Sequence, residues 1–188
     1  MAEVVAKRCS MKTSFKVSLS GVIGALSLVL MLLTSVIPFG TFAFPAFAGM
    51  LLISIVIELG NSWAFLVYFT VSTLSLLLLT DKEAALYYVI FLGFYPIVKG
   101  LIEKLSSKVL QYIIKFAVFN LCMIAAFYLS VFVFSIPKES FEIFGFYVPW
   151  LFLILGNNAF VIYDFCVTRI VTIYLLKIHK LLAKKTKL

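Results

Sequence analysis

Long apolar runs alternate with short polar breaks along this chain, and the runs have the length of membrane crossings. Residues 1–16 are polar and basic, and an apolar run follows from Val17 to Ile37. Its competing reading is a secretory leader with a small-x-small cleavage site at Ala46-Phe47-Ala48. The run is long for a leader and more apolar runs follow it, so it reads as a first membrane helix that stays. Pro38 and Gly40 break the pattern, and Pro45 suits the first turn of a second helix, from about Phe44 to Leu59. Gly60-Asn61-Ser62 reads as a turn, with a third run over Trp63–Leu79 behind it. Thr80 and Glu83 have the spacing of a capping box that opens a fourth run, Ala84–Val98. That run is short for a crossing; it tilts, or it continues past Lys99 while the lysine snorkels. Residues 99–115 mix lysines with apolar residues at helical spacing and predict an amphipathic segment on the membrane surface. A fifth run (Phe116–Phe134), a polar loop (Ser135–Gly145) and a sixth run (Val148–Leu176) complete the pattern.

The expected fold is therefore all-α and polytopic, with six transmembrane helices. Residues 1–16 form a basic head, 17–176 one membrane domain and 177–188 a basic tail. Composition agrees: 64% of the 188 residues are hydrophobic and 13% charged, against about 45–50% and 25% in soluble domains. A soluble globule of this size has too much surface to hide that excess. Fourteen of the 16 basic residues fall in the head, in 99–115, or from Arg169 onward, and only Lys82 and Lys138 fall elsewhere. Six crossings put all fourteen on one side, so both termini are expected in the cytoplasm of a multi-pass plasma-membrane protein. The same placement assigns the net charge of +8 to anionic lipid head groups, not to nucleic acid.

No catalytic constellation emerges. The single histidine, His179, lies in the tail, and no phosphate loop or metal-ligand spacing is present. No enzyme activity, cofactor or metal is expected. Cys9, Cys122 and Cys166 are far apart and read as small apolar residues.

Polar residues inside the apolar runs are costly there, and so they mark where lipid is not the neighbour. The last run carries Asn157, Asn158, Asp164, Thr168 and Arg169. Asn157, Asp164 and Thr168 share one helix face, with Asn158 and Arg169 beside it. The two amides lie about 14 Å below the outer end of the helix at 1.5 Å per residue, the depth of a cavity floor. They either contact a polar ligand or bond to neighbouring helices. Asp164 needs a partner; Thr168 is one turn away, Asn120 and Lys115 lie at comparable depth, and Arg169 reaches toward the cytoplasm. A structural polar clamp of Asp164, Thr168, Arg169 and Asn120 is the plainer reading. Glu58 reads as interfacial. The first run carries two overlapping small-x-x-x-small pairs, Ser20/Gly24 and Gly21/Ala25, extended by Ser27, which suit close helix approach inside or outside the chain. Tyr87, Phe91, Phe94 and Tyr95 form an aromatic stripe. With Phe39, Phe42, Tyr147 and Trp150 near the outer face, Tyr87 also suits the surroundings of a flat organic ligand.

The compact six-helix plan and Gly21-x-x-Gly24-Ala25 are similar to substrate-binding S components of energy-coupling factor (ECF) vitamin transporters, while Phe94-Tyr95-Pro96-Ile97-Val98-Lys99 and Gly156-Asn157-Asn158…Tyr163-Asp164…Thr168-Arg169 resemble helix segments of small Firmicutes-type membrane proteins of this general kind. Glycine stands where the family's coupling motif has one of its alanines. The resemblance implies capture of a vitamin-like molecule and no ATP hydrolysis by this chain. The partners it implies are a transmembrane coupling subunit and two ATPases. It implies that Gly21, Gly24 and Ala25 meet the coupling subunit. It further implies that Asn157, Asn158, Trp150, Phe42 and Tyr87 surround the substrate. A scaffold or accessory protein without ligand is the alternative. A cavity of a few hundred Å3 lined by Asn157 and Trp150 separates the two readings.

Overall fold

The structure, a computed structural model, describes residues 12–37, 40–132, 142–143, 146–147 and 149–178, with side chains at 12–37, 40–130 and 153–176. It is helical apart from a two-residue antiparallel pairing, in which β1 (Glu142–Ile143) meets β2 (Phe146–Tyr147) with Glu142 opposite Tyr147. The helices are α1 (Thr13–Leu33), α2 (Ala43–Glu58), α3 (Asn61–Leu78), α4 (Lys82–Tyr87), α5 (Tyr95–Ile102), α6 (Lys108–Phe132) and α7 (Pro149–Ile173). A π-helical turn, Tyr88–Leu92, joins α4 to α5, and a second, Tyr174–Ile178, extends α7.

Five helical stretches among the described residues are long and apolar enough to cross a membrane: 13–33, 61–78, 82–102, 108–130 and 153–176. The remaining apolar helix, α2, has 16 residues and a length of about 24 Å, short of the roughly 30 Å hydrocarbon core. Its position explains the shortness. Eight of its residues are buried, on several faces. Ala48, Leu52 and Ile55 belong to one core with α1 and α3, while Ile53 and Ile57 belong to a second with the aromatic residues of α6 and α7. A helix surrounded by protein has no need to match the bilayer, and it is apolar all round for the same reason. Gly60, with φ 97°, turns the chain out of α2, a conformation that needs glycine, and α3 starts at the next residue. Consecutive helices joined by such short turns run antiparallel. One end of the bundle therefore holds Gly60 and the 103–107 turn, and the other holds Asp81 and the start of α7.

The outside of the bundle is as apolar as its inside. Val22, Val29, Leu66, Phe69, Leu121 and Ile162 are all exposed, whereas Ser27, Glu58, Ser75, Lys99 and Lys115 are buried. That inversion is the pattern of a protein solvated by lipid, where packing and interhelical hydrogen bonds, not apolar burial, hold helices together.

Several expectations need correction. The first helix runs over 13–33 instead of 17–37, so Lys16 is within it. The cap of α4 is Asp81, whose carboxylate accepts the Ala84 N–H at 3.0 Å, and not Thr80. The predicted surface segment 99–115 does not exist as a unit. Its first residues finish the apolar stretch 82–102; residues 103–107 turn; and 108–115 begin α6. The reason is that Lys99 and Lys115 point inward, to a shared partner, and not out to head groups. Glu58, two residues before Gly60 at the end of the bundle, is 3% exposed and accepts the Tyr174 hydroxyl at 3.3 Å.

Candidate functional site: an aromatic cavity above a buried ion cluster

The π turn organises the site. Gly93 N–H donates to Tyr88 C=O at 2.8 Å, and the wider turn shifts the neighbouring carbonyls off the helix ladder. Tyr68 donates its hydroxyl to Val89 C=O, and Tyr163 of α7 donates to Leu92 C=O at 2.9 Å. From α2, Gly49 lies against the same turn. A Cβ there would sit 2.0 Å from the Leu92 oxygen, so only glycine permits this backbone approach. Helices α2, α3 and α7 thus all meet one irregular segment, whose side chains Phe91 and Leu92 line a cavity.

The cavity has a volume of about 690 Å3 and occupies the Asp81 end of the bundle, between α6, α7 and the π turn. Phe42 and Tyr87 stand there with ring centroids 4.8 Å apart. Its floor is aromatic. Phe119 and Phe160 stack at 4.7 Å, with Phe91 edge-on to Phe119 at 5.1 Å. Gly156 lets that stack form, since a Cβ at this position would be 3.3 Å from the Phe119 ring. Met123 and Phe127 of α6 and Leu153 and Ala159 of α7 complete the walls. Among the described residues, no charged or amide side chain lines it.

Beside the floor, Asn120 and Asn157 form a closed pair. Each donates to the other's carbonyl oxygen, at 3.1 and 3.0 Å. Each also donates to the carbonyl four residues back, Phe116 and Leu153 respectively. Both NH2 groups are then fully used, and neither residue lines the cavity.

Toward the Gly60 end lies an ion cluster. Tyr95 stacks on Phe91 at 4.8 Å and donates its hydroxyl to Asp164. Lys99 donates to the Asp164 carboxylate, to the Asp164 main-chain oxygen at 2.8 Å and to Thr168 Oγ1 at 2.7 Å. Lys115 reaches both Asp164 oxygens at 3.2 Å and Glu103 at 2.8 Å, and Glu103 is also 3.4 Å from Lys99. Lys99 and Lys115 are 2% and 4% exposed. Two cations and two carboxylates cancel, and each ammonium has several acceptors, which is the condition for keeping charges at membrane depth.

The residues singled out in the sequence therefore have different surroundings. Phe42 and Tyr87 line the cavity. Asn157 meets Asn120 beside it. Asn158 is exposed and donates to Ile154 C=O of its own helix. Trp150 begins α7, with its side chain outside the described residues. Asp164 and Thr168 are joined by Lys99. Arg169 is exposed, its guanidinium 4.8 Å over the Phe165 ring, and takes no part in the cluster; Asn120 belongs to the amide pair instead. Ser20, Gly24 and Ser27 face the bundle: a Cβ at Gly24 would be 3.3 Å from Val67, and Ser27 donates to Ala48 C=O at 3.3 Å. Gly21 and Ala25 are exposed, with nothing within 4 Å of a Cβ at Gly21.

Sequence reasoning missed Lys99, Tyr95 and Glu103. A signal was available for the first two: Phe91, Tyr95 and Lys99 recur every four residues, so a lysine continues the buried aromatic stripe.

The fold is a helical bundle with five stretches among the described residues long and apolar enough to cross a membrane, as in multi-pass membrane proteins, and a cavity of about 690 Å3 between its helices. No family model, no curated protein and no solved structure matches the chain.

Proposed function

We propose that this protein is the membrane-embedded solute-binding subunit of an energy-coupled importer of the ECF kind, in a six-crossing plasma-membrane topology with both termini cytoplasmic. The observation that carries the reading is the aromatic cavity of about 690 Å3 at the Asp81 end, which is the outer end in that topology. Its size lies within the roughly 300–1,000 Å3 of small-molecule sites. Phe42, Tyr87, Phe91 and Phe160 offer flat faces to a vitamin-like ligand of largely apolar character. The exposed Gly21/Ala25 face of α1 is the contact for a transmembrane coupling subunit that carries two ATPases. Gly24 is excluded from that contact by its approach to Val67.

A second reading, an accessory protein without ligand, has one observation in its favour. Asn120, Asn157 and Asp164 all bond to other helices of the chain, as assembly elements do.

Affinity purification from the native membrane, with mass spectrometry of the co-purifying proteins, tests the proposal. A stoichiometric coupling subunit and ATPases are expected, and their loss in Gly21→Leu. A preparation free of any ATPase defeats the importer.

A further inference from the structure

The sides of the cavity carry information about its ligand. Part of its lining is exposed: Ile124 by 46%, Tyr128 by 55%, Leu155 by 55% and Phe42 by 62%. Ile124 lies 8 residues before the end of α6 at Phe132, and Leu155 lies 6 residues after the start of α7 at Pro149. At 1.5 Å per residue these are about 12 and 9 Å along the helix axes. Both helices supply spans apolar enough to cross a membrane, so those depths fall within the hydrocarbon layer. The rim therefore runs along the flanks of α6 and α7, where lipid chains are, and not only at the water-facing end.

The lining points the same way. A water-soluble ligand needs a few convergent polar groups to replace its hydration. Among the described residues, the interior polar candidates are already committed, and the hydroxyls of Tyr87 and Tyr128 complete the polar part of the lining. Asn120 and Asn157 are closed on each other, Tyr163 donates to Leu92 C=O, and the ion cluster lies beyond the Phe119–Phe160 floor. Apart from the Tyr87 and Tyr128 hydroxyls, what the described residues present to an occupant is aliphatic and aromatic.

We infer that the cavity takes the hydrocarbon chain of a membrane-dissolved amphiphile, an acyl or prenyl chain, which reaches it sideways from the bilayer between α6 and α7. This inference rests on the proposed binding role of the same cavity and names its ligand class and route. The chain's apolar length lies on Phe91, Phe119 and Met123, and its polar end stays near Phe42 and Tyr87.

The test uses the full chain in phosphatidylcholine nanodiscs with a diazirine-bearing palmitic acid as probe. Photolysis is followed by peptide mass spectrometry. Cross-links are expected at Phe91, Phe119 and Met123 as well as at the lipid-facing Leu121 and Val161, and excess unlabelled palmitic acid removes the first group only. Ala159→Trp, which fills the cavity from an exposed position, abolishes interior labelling and leaves Leu121 and Val161 labelled. Labelling confined to lipid-facing residues overturns the inference. So does interior labelling that palmitic acid does not displace, which marks a permanent structural lipid. The displacement result on the unaltered protein holds even if Ala159→Trp fails to fold. Interior labelling without co-purifying ATPases leaves the ligand class standing and removes the importer; ATPases without interior labelling do the reverse.

Discussion

Lys99 and Asp164 bind each other twice: the ammonium of one donates to both the side-chain carboxylate and the main-chain carbonyl of the other. The link ties α5 to α7 across 65 residues of chain. It also connects the cavity to the Gly60 end, because Tyr95 bonds to the same carboxylate and stacks on the cavity-lining Phe91.

Removing Asp164 leaves two buried ammonium groups with Glu103 alone to share, whereas removing Lys99 leaves Asp164 bonded to Lys115 and Tyr95. Asp164→Ala leaves Lys99 and Lys115 facing each other and is expected to destabilise the detergent-purified protein by about 3–5 kcal/mol. Lys99→Met is expected to cost less, because Lys115 still faces the Asp164 carboxylate. The double variant Lys99→Met/Asp164→Leu should be less destabilised than the sum of the singles. Additive melting shifts would show that the pair does not couple.

The amide pair makes a smaller and reciprocal prediction. Asn157→Leu and Asn120→Leu each leave one amide short of a partner and should cost about 0.6–2 kcal/mol. The double leucine variant should regain part of the loss. Because neither amide lines the cavity, occupancy by a photoreactive ligand should persist in both. Loss of binding in Asn157→Leu at unchanged thermal stability would return this residue to the ligand site.

Two glycines predict opposite outcomes. Gly49→Ala places a methyl group 2.0 Å from a backbone oxygen that cannot turn away, and about 1–3 kcal/mol or more of destabilisation is expected. Gly21→Ala meets nothing within 4 Å and should be neutral or stabilising by up to about 1 kcal/mol. Thermal melting of the two variants side by side checks both.

On the first helix, Gly24→Leu collides with Val67 and should lower stability by itself, whereas Gly21→Leu should not. A co-purification defect in Gly21→Leu at unchanged melting temperature reports an external contact. Loss of stability in Gly21→Leu would mean that this face packs within the chain.

The membrane as solvent, the number of apolar helices and most of their turns follow from the chain alone. The reason is local: run length, glycine, proline and capping chemistry act within a few residues. Asp164 was legible as a residue in need of a partner, because a lone carboxylate in an apolar run is expensive wherever it folds. Lys115 was legible as a partner at comparable depth, but Lys99 and Tyr95 were not. Lysines near run ends obey the positive-inside pattern whether they snorkel outward or turn inward, so spacing alone placed 99–115 on the surface. Only the approach of α5, α6 and α7 turns Lys99 and Lys115 to the same carboxylate. The tertiary structure likewise decided that the short α2 is the enclosed helix, that the amides close on each other, and that the cavity is aromatic. Such features depend on side chains from helices far apart in sequence, and no local pattern encodes which faces meet.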